Sequence, residues 1–155
     1  MSGTGHTTRF VGPSGSQFID GLLFGTAWAD AVVYYTSPPD GASYGYYGEP
    51  NTYRFVSPYQ WDAVEFAIEA DGNAADAGFS IEGFTNLAVG VSFSSSAHIR
   101  FGATDTSPQG STTAWSFAPG TTVYAGDVWF YDESNHNDDY RFPQAGNYEW
   151  QTHLH

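Results

Sequence analysis

The residues with the clearest capacity for chemistry close the chain, in Gly146-Asn147-Tyr148-Glu149-Trp150-Gln151-Thr152-His153-Leu154-His155. Imidazole nitrogens are good ligands for zinc. His153 and His155 stand two positions apart, which on a helix of about 3.6 residues per turn separates the side chains by roughly 200°. One of them at most can then reach a given ion, whereas on a strand both could. The stretch DESNHNDD, residues 132–139, offers the carboxylate and amide oxygens that calcium prefers. Its spacing is not that of an EF-hand loop, so it reads as an exposed polar loop with calcium as the alternative. Asp132 and Glu133 are a candidate carboxylate pair for glycoside hydrolysis, but neighbours in such a loop are ordinarily solvated. His98 alternates with apolar residues and is expected on a strand, solvent-facing or half-buried. His6 and His136 lie among Gly and Asn residues and point to no chemistry.

Other chemistries lack their residues. The Gly3-Thr4-Gly5 run is not flanked by the strand and helix that a dinucleotide fingerprint needs, and no G-x-S-x-G elbow occurs. Cysteine is absent, which removes disulfides, thiolate metal sites and cysteine nucleophiles. The 155 residues carry 4 Lys+Arg against 17 Asp+Glu, a net charge of −13, and every cation is an arginine: Arg9, Arg54, Arg100 and Arg141. Phosphate neutralisation needs clustered cations, so nucleic acid and anionic membrane surfaces are excluded as partners. No apolar run reaches the roughly 18 residues that span a bilayer. Aromatics at 18% can build a core from few Leu and Ile. An acidic chain free of lysine and cysteine suggests a secreted protein that lives with calcium or salt. The start, MSGTGHTTRF, shows no basic segment before an apolar one, so a secretory route other than a classical signal peptide is expected.

The elements that would position these residues follow from periodicity and punctuation. Residues 1–17 read as a flexible lead-in, and 18–155 as one unit without a second domain. A short helix is expected within Phe18–Trp28, a strand at Ala31–Tyr35 and a loop over 37–53. Ser57-Pro58-Tyr59-Gln60 predicts a helix start, with Ser57 as N-cap, Pro58 at the first position and Gln60 closing a capping box. Trp61, Val64 and Ile68 then share one face, while Asp62, Glu65 and Glu69 point away. Residues 71–78 break that helix, and a second helical piece is expected at Phe79–Phe84. Strands are predicted at Leu87–Phe93, Ala97–Gly102, Thr113–Phe117 and Asp127–Tyr131. In Ala97–Gly102 the alternation of Ile99 and Phe101 with His98 and Arg100 predicts one wet side. A final helix is expected over Tyr148–His155. The fold class is α+β.

Six pieces in this order, IDGLLFGTAW leading to VVYYTSP, SPYQWDAVEFAIE, IEGFTNL, AHIRFG, TTAWSFAPG and GDVWF, together with the terminal THLH, resemble the catalytic domain of serralysin-like zinc metalloproteases, a branch of the metzincins. The resemblance runs from about Phe18 to the end. It departs from the family at residues 71–80, where relatives have a continuous helix. It implies a metzincin-like N-terminal subdomain: a twisted, mostly parallel sheet with an antiparallel edge strand and flanking helices. It makes His155 the first histidine of H-E-x-x-H-x-x-G-x-x-H and hence a zinc ligand, with the catalytic glutamate and two further histidines falling beyond the chain end. A fragment of a secreted zinc metalloendopeptidase, inactive by itself and monomeric, is therefore expected. Thr113, Ala114, Trp115, Ser116 and Phe117 resemble the edge strand that pairs with extended peptide or protein substrate. The rival expectation is a secreted carbohydrate-binding β-sandwich, with the 5 Trp and 11 Tyr as sugar-stacking platforms and neither 57–69 nor 148–155 helical. An inhibitor-like fragment that binds a partner by its sheet edge is a third.

Overall fold

The computed structural model describes residues 5–20, 25–69, 80–84, 87–105 and 114–131. Two strands, Thr8–Phe10 (β1) and Thr26–Trp28 (β2), pair antiparallel, with the short helix Gln17–Asp20 (α1) between them. The larger sheet uses Val32–Thr36 (β3), Tyr53–Arg54 (β4), Ala88–Val91 (β5), Ile99–Thr104 (β6), Ala114–Ser116 (β7) and Asp127–Tyr131 (β8). Its order is β5-β3-β6-β8-β7. The first four are parallel, β7 runs antiparallel to β8, and β4 pairs antiparallel with the end of β6. This is an α+β architecture with a mostly parallel mixed sheet and few helices. A β-sandwich would be built from antiparallel sheets and would lack the helix at 58–68, so the architecture is not that of the rival expectation.

Helix Pro58–Ile68 (α2) starts as its residues dictate. Ser57 accepts from the Gln60 N–H at 3.2 Å, Gln60 Oε1 accepts from the Ser57 N–H at 2.8 Å, and Pro58 occupies the first turn. The helix connects β3 to β5 and buries Ala63, Val64, Ala67 and Ile68 against one face of the sheet, on Tyr35, Phe101, Ala103, Ala114, Val128 and Phe130. Trp61 tilts over Tyr35 at 5.5 Å and donates its indole N–H to Glu65 at 2.7 Å. Glu65 is thus tied to the helix's own surface rather than simply pointing into water. A second short helix, Ile81–Phe84 (α3), follows where a helical piece was expected.

The opposite face carries the main difference from the sequence reading. Arg100, predicted to face water, is 2% exposed, and His98, predicted solvent-facing or half-buried, is equally buried. Alternation separates the two faces of β6 correctly, but both are covered. Residues 41–53, built from two 3-10 turns and β4, lay Tyr44, Tyr46 and Tyr53 over the second face. Glycine at 102 makes room for this layer, since a Cβ there would stand 2.6 Å from Tyr44 Oη and 2.7 Å from Trp129 Cζ3. Strand formation at 8–10 also differs from the expected lead-in. Its main chain is held by Val11 N–H to Gly25 O and Ala29 N–H to Thr7 O, each at 3.0 Å.

Candidate functional site

Strand β7 lies at the sheet edge, with β8 as its one strand neighbour among the described residues. The ladder places Ala114 opposite Phe130, Trp115 opposite Trp129 and Ser116 opposite Val128. It continues one step past the strand: the Phe117 N–H donates to Asp127 O at 2.8 Å, and the Gly126 N–H donates to Phe117 O at 3.1 Å. Because Phe117 directs both main-chain groups at β8, alternation along an antiparallel strand turns those of Ser116 outward. Side chains alternate as well. Ala114 is buried on the α2 face, whereas Trp115 and Phe117 share the face of Trp129 and the tyrosine layer. The Trp115 indole N–H is buried with no hydrogen-bond partner among the described residues.

Beside this edge, a buried ion pair fixes the tyrosine layer. Arg100 Nε donates to Asp127 Oδ1 at 2.6 Å and Nη2 to Oδ2 at 2.9 Å, and Nη2 also reaches Val123 O at 2.7 Å. The Tyr46 hydroxyl donates to Asp127 Oδ2 at 2.8 Å and accepts from the Trp129 indole N–H at 2.9 Å. The guanidinium carbon sits 4.9 Å from the Tyr44 ring centre. Burial pushes the Asp127 carboxyl up to about 6 in spite of Arg100. Burial, with the Asp127 charge second, also raises the Tyr46 hydroxyl, so that it stays a donor. On the outer side Tyr124 packs on Phe117 at 4.8 Å and meets Tyr46 edge-on at 6.0 Å. Tyr124 is 41% exposed, so the layer opens to solvent where β7 ends.

Two residues before Arg100, and past Gly126, His6, Asp30 and His98 come together. The imidazoles of His6 and His98 stack at 3.4 Å, and Trp28 meets both edge-on. His98 Nδ1 accepts the Tyr34 N–H at 3.0 Å, which leaves Nε2 as the protonated nitrogen, donating to Asp30 Oδ2 at 3.0 Å. Burial lowers the His98 pKa, with Asp30 opposing, and the hydrogen bond from His98 is the largest of the effects that lower Asp30. His6 Nε2 donates to Ser96 O at 2.6 Å, and its Nδ1 lies 3.5 Å from Asp30 Oδ2.

This cluster brings three potential metal donors within 4.8 Å of one another, but its protons do not fit a metal. A metal on His98 Nε2 would move the proton to Nδ1, directly against the Tyr34 N–H, and two donors would face each other. A ligating histidine normally donates from its second nitrogen to a carbonyl or carboxylate. His98 instead supplies the acceptor that β3 needs just below the first β3–β6 pair, Tyr35 with Ile99. The same geometry leaves His98 no lone pair for general-base work. Among the described residues, zinc therefore has no fitting donor set.

Of the residues singled out from sequence, Ala114, Trp115 and Ser116 form β7 and Phe117 extends its ladder. Thr113, His153, His155, the 132–139 loop and the expected breaks and helix at 71–78 and 148–155 lie outside the described residues. Sequence reasoning missed Tyr46, Asp127 and Tyr124 as partners of the edge, and Asp30 and His6 as partners of His98. The signal available was an arginine alternating with apolar residues in a chain with few cations. No family model matches this chain, and no curated protein shows significant similarity to it.

Proposed function

We propose that this chain is the substrate-presenting subdomain of a secreted, serralysin-like zinc metalloendopeptidase, in which β7 receives an extended peptide or protein segment. The observation that carries the reading is an antiparallel strand at the edge of a mostly parallel sheet, at the residues the resemblance assigned to substrate pairing. The capping box at Ser57 and the α2 crossover between β3 and β5 fit the same subdomain. An added strand would take main-chain hydrogen bonds from Ser116, which give affinity with little demand on the peptide's sequence. His155 is the proposed zinc ligand.

The experiment is a titration of the full chain with a fluorescent extended peptide, in parallel with the same peptide N-methylated at alternate amides. Methylation removes ladder donors while keeping side chains. Loss of binding for the methylated peptide is expected. Equal binding by the two peptides, or binding by neither, would remove the strand-addition reading.

A further inference from the structure

The side chains of a peptide laid along β7 alternate between two faces, and the two faces differ. On one side the neighbours are Ala114, buried under α2, and Ser116. On the other, the neighbours are Trp115 and Phe117, continued by Tyr124 and Tyr46. Tyr46 is held from below by Asp127 and Trp129, so this aromatic shelf is preformed rather than assembled on binding. Directly opposite side chains on paired strands lie about 5 Å apart. A peptide residue beside Phe117 therefore rests on the shelf.

The charge of the chain is one-sided. The carboxylate under the shelf is Asp127, which accepts from the Tyr46 hydroxyl at 2.8 Å. The cation beside them, Arg100, is buried and holds Asp127 with two hydrogen bonds. Arg54 is engaged with Asp105. The chain as a whole carries −13. An aromatic face in a negative field favours a planar cation that stacks on rings, and arginine does this better than lysine.

We propose that the edge site selects an extended peptide bearing an arginine on the aromatic side, stacked on Phe117 and Tyr124. This rests on the strand-addition reading and adds the chemistry of the partner to it.

The test measures affinity of the full chain for four otherwise identical extended peptides with arginine, citrulline, leucine or glutamate at the central position, at low salt and at 0.5 M salt. Citrulline keeps the shape of arginine without the charge. The arginine peptide is expected to bind about five-fold tighter than the citrulline peptide, the range of a partly exposed cation–π contact. The margin shrinks at high salt, and glutamate binds weakest. Tyr124→Leu and Phe117→Leu, each checked for an unchanged melting temperature, should each reduce the ratio of arginine to citrulline affinity. Citrulline or leucine binding as well as arginine would overturn the arginine proposal and leave strand addition standing. An arginine preference unchanged in both variants would also overturn it. Failure of all four peptides to bind would overturn strand addition itself.

Discussion

Removing Arg100 tests the buried layer that shapes the edge. In Arg100→Met, Asp127 loses two hydrogen bonds at 2.6 and 2.9 Å and the charge that balances it, and keeps the Tyr46 hydroxyl at 2.8 Å. Both partners are essentially inaccessible, at 2% and 0% side-chain exposure, so water cannot step in. Breaking one side of such a pair costs about 3–5 kcal/mol. With a urea slope of about 2 kcal/mol/M for a chain of this size, the midpoint should fall by about 2 M. Trp129 is fully buried, 4.6 Å from Tyr44, and reports the transition by fluorescence. The double variant Arg100→Met/Asp127→Leu leaves no orphaned charge and should recover most of the loss, giving a coupling of about 3 kcal/mol in the cycle. A single-variant loss below about 1 kcal/mol, or a double variant as poor as the sum of the singles, would refute the reasoning.

Other perturbations follow from single contacts. Gly102→Ala drives a Cβ into Tyr44 and Trp129 and should cost about 1–3 kcal/mol by the same urea assay. The Asp127 carboxyl, raised to about 6 from 3.8, makes folding take up a proton between those values. Its contribution is therefore present in full below about pH 4 and is lost as pH rises through about 6. Stability of the wild type relative to Asp127→Asn should fall across that window, and a flat or rising difference would contradict the raised carboxyl. Nitrogen-15 spectra should show His98 as the neutral Nε2–H tautomer at pH 7. Equimolar zinc should leave His98 and His6 resonances in place, and a zinc-induced shift of both would reverse the reading of that cluster.

How far the sequence carried the reading depended on whether the signal was local. The helix start at Ser57 was fully legible, because a capping box is written in four adjacent residues. Strand β8 was legible to the residue, since Asp127–Tyr131 is a compact aromatic and β-branched run after a Pro-Gly turn signal. The position of β7 at an edge came from the resemblance rather than from periodicity, because three residues carry too little pattern to place a strand in a sheet. The burial of Arg100 and His98 was not legible. Alternation with polar residues looks the same whether the polar side meets water or meets partners that neutralise it. Those partners, Asp127 for Arg100 and Asp30 for His98, are 27 and 68 positions away. The tyrosine layer was hidden for a related reason. A loop rich in Gly, Pro and Tyr reads as surface, and Gly102 shows its fit only once the backbone is built.

Amide exchange at β7, followed residue by residue with and without an extended peptide, bears most directly on the proposed function. Without peptide, Trp115 and Phe117 should be protected by β8, and Ser116 should exchange quickly. With saturating peptide, Ser116 should slow by more than ten-fold while amides on the far edge at β5 keep their rates. A Ser116 amide already slow in the free chain, or one whose rate the peptide leaves unchanged, would contradict an open edge that receives substrate.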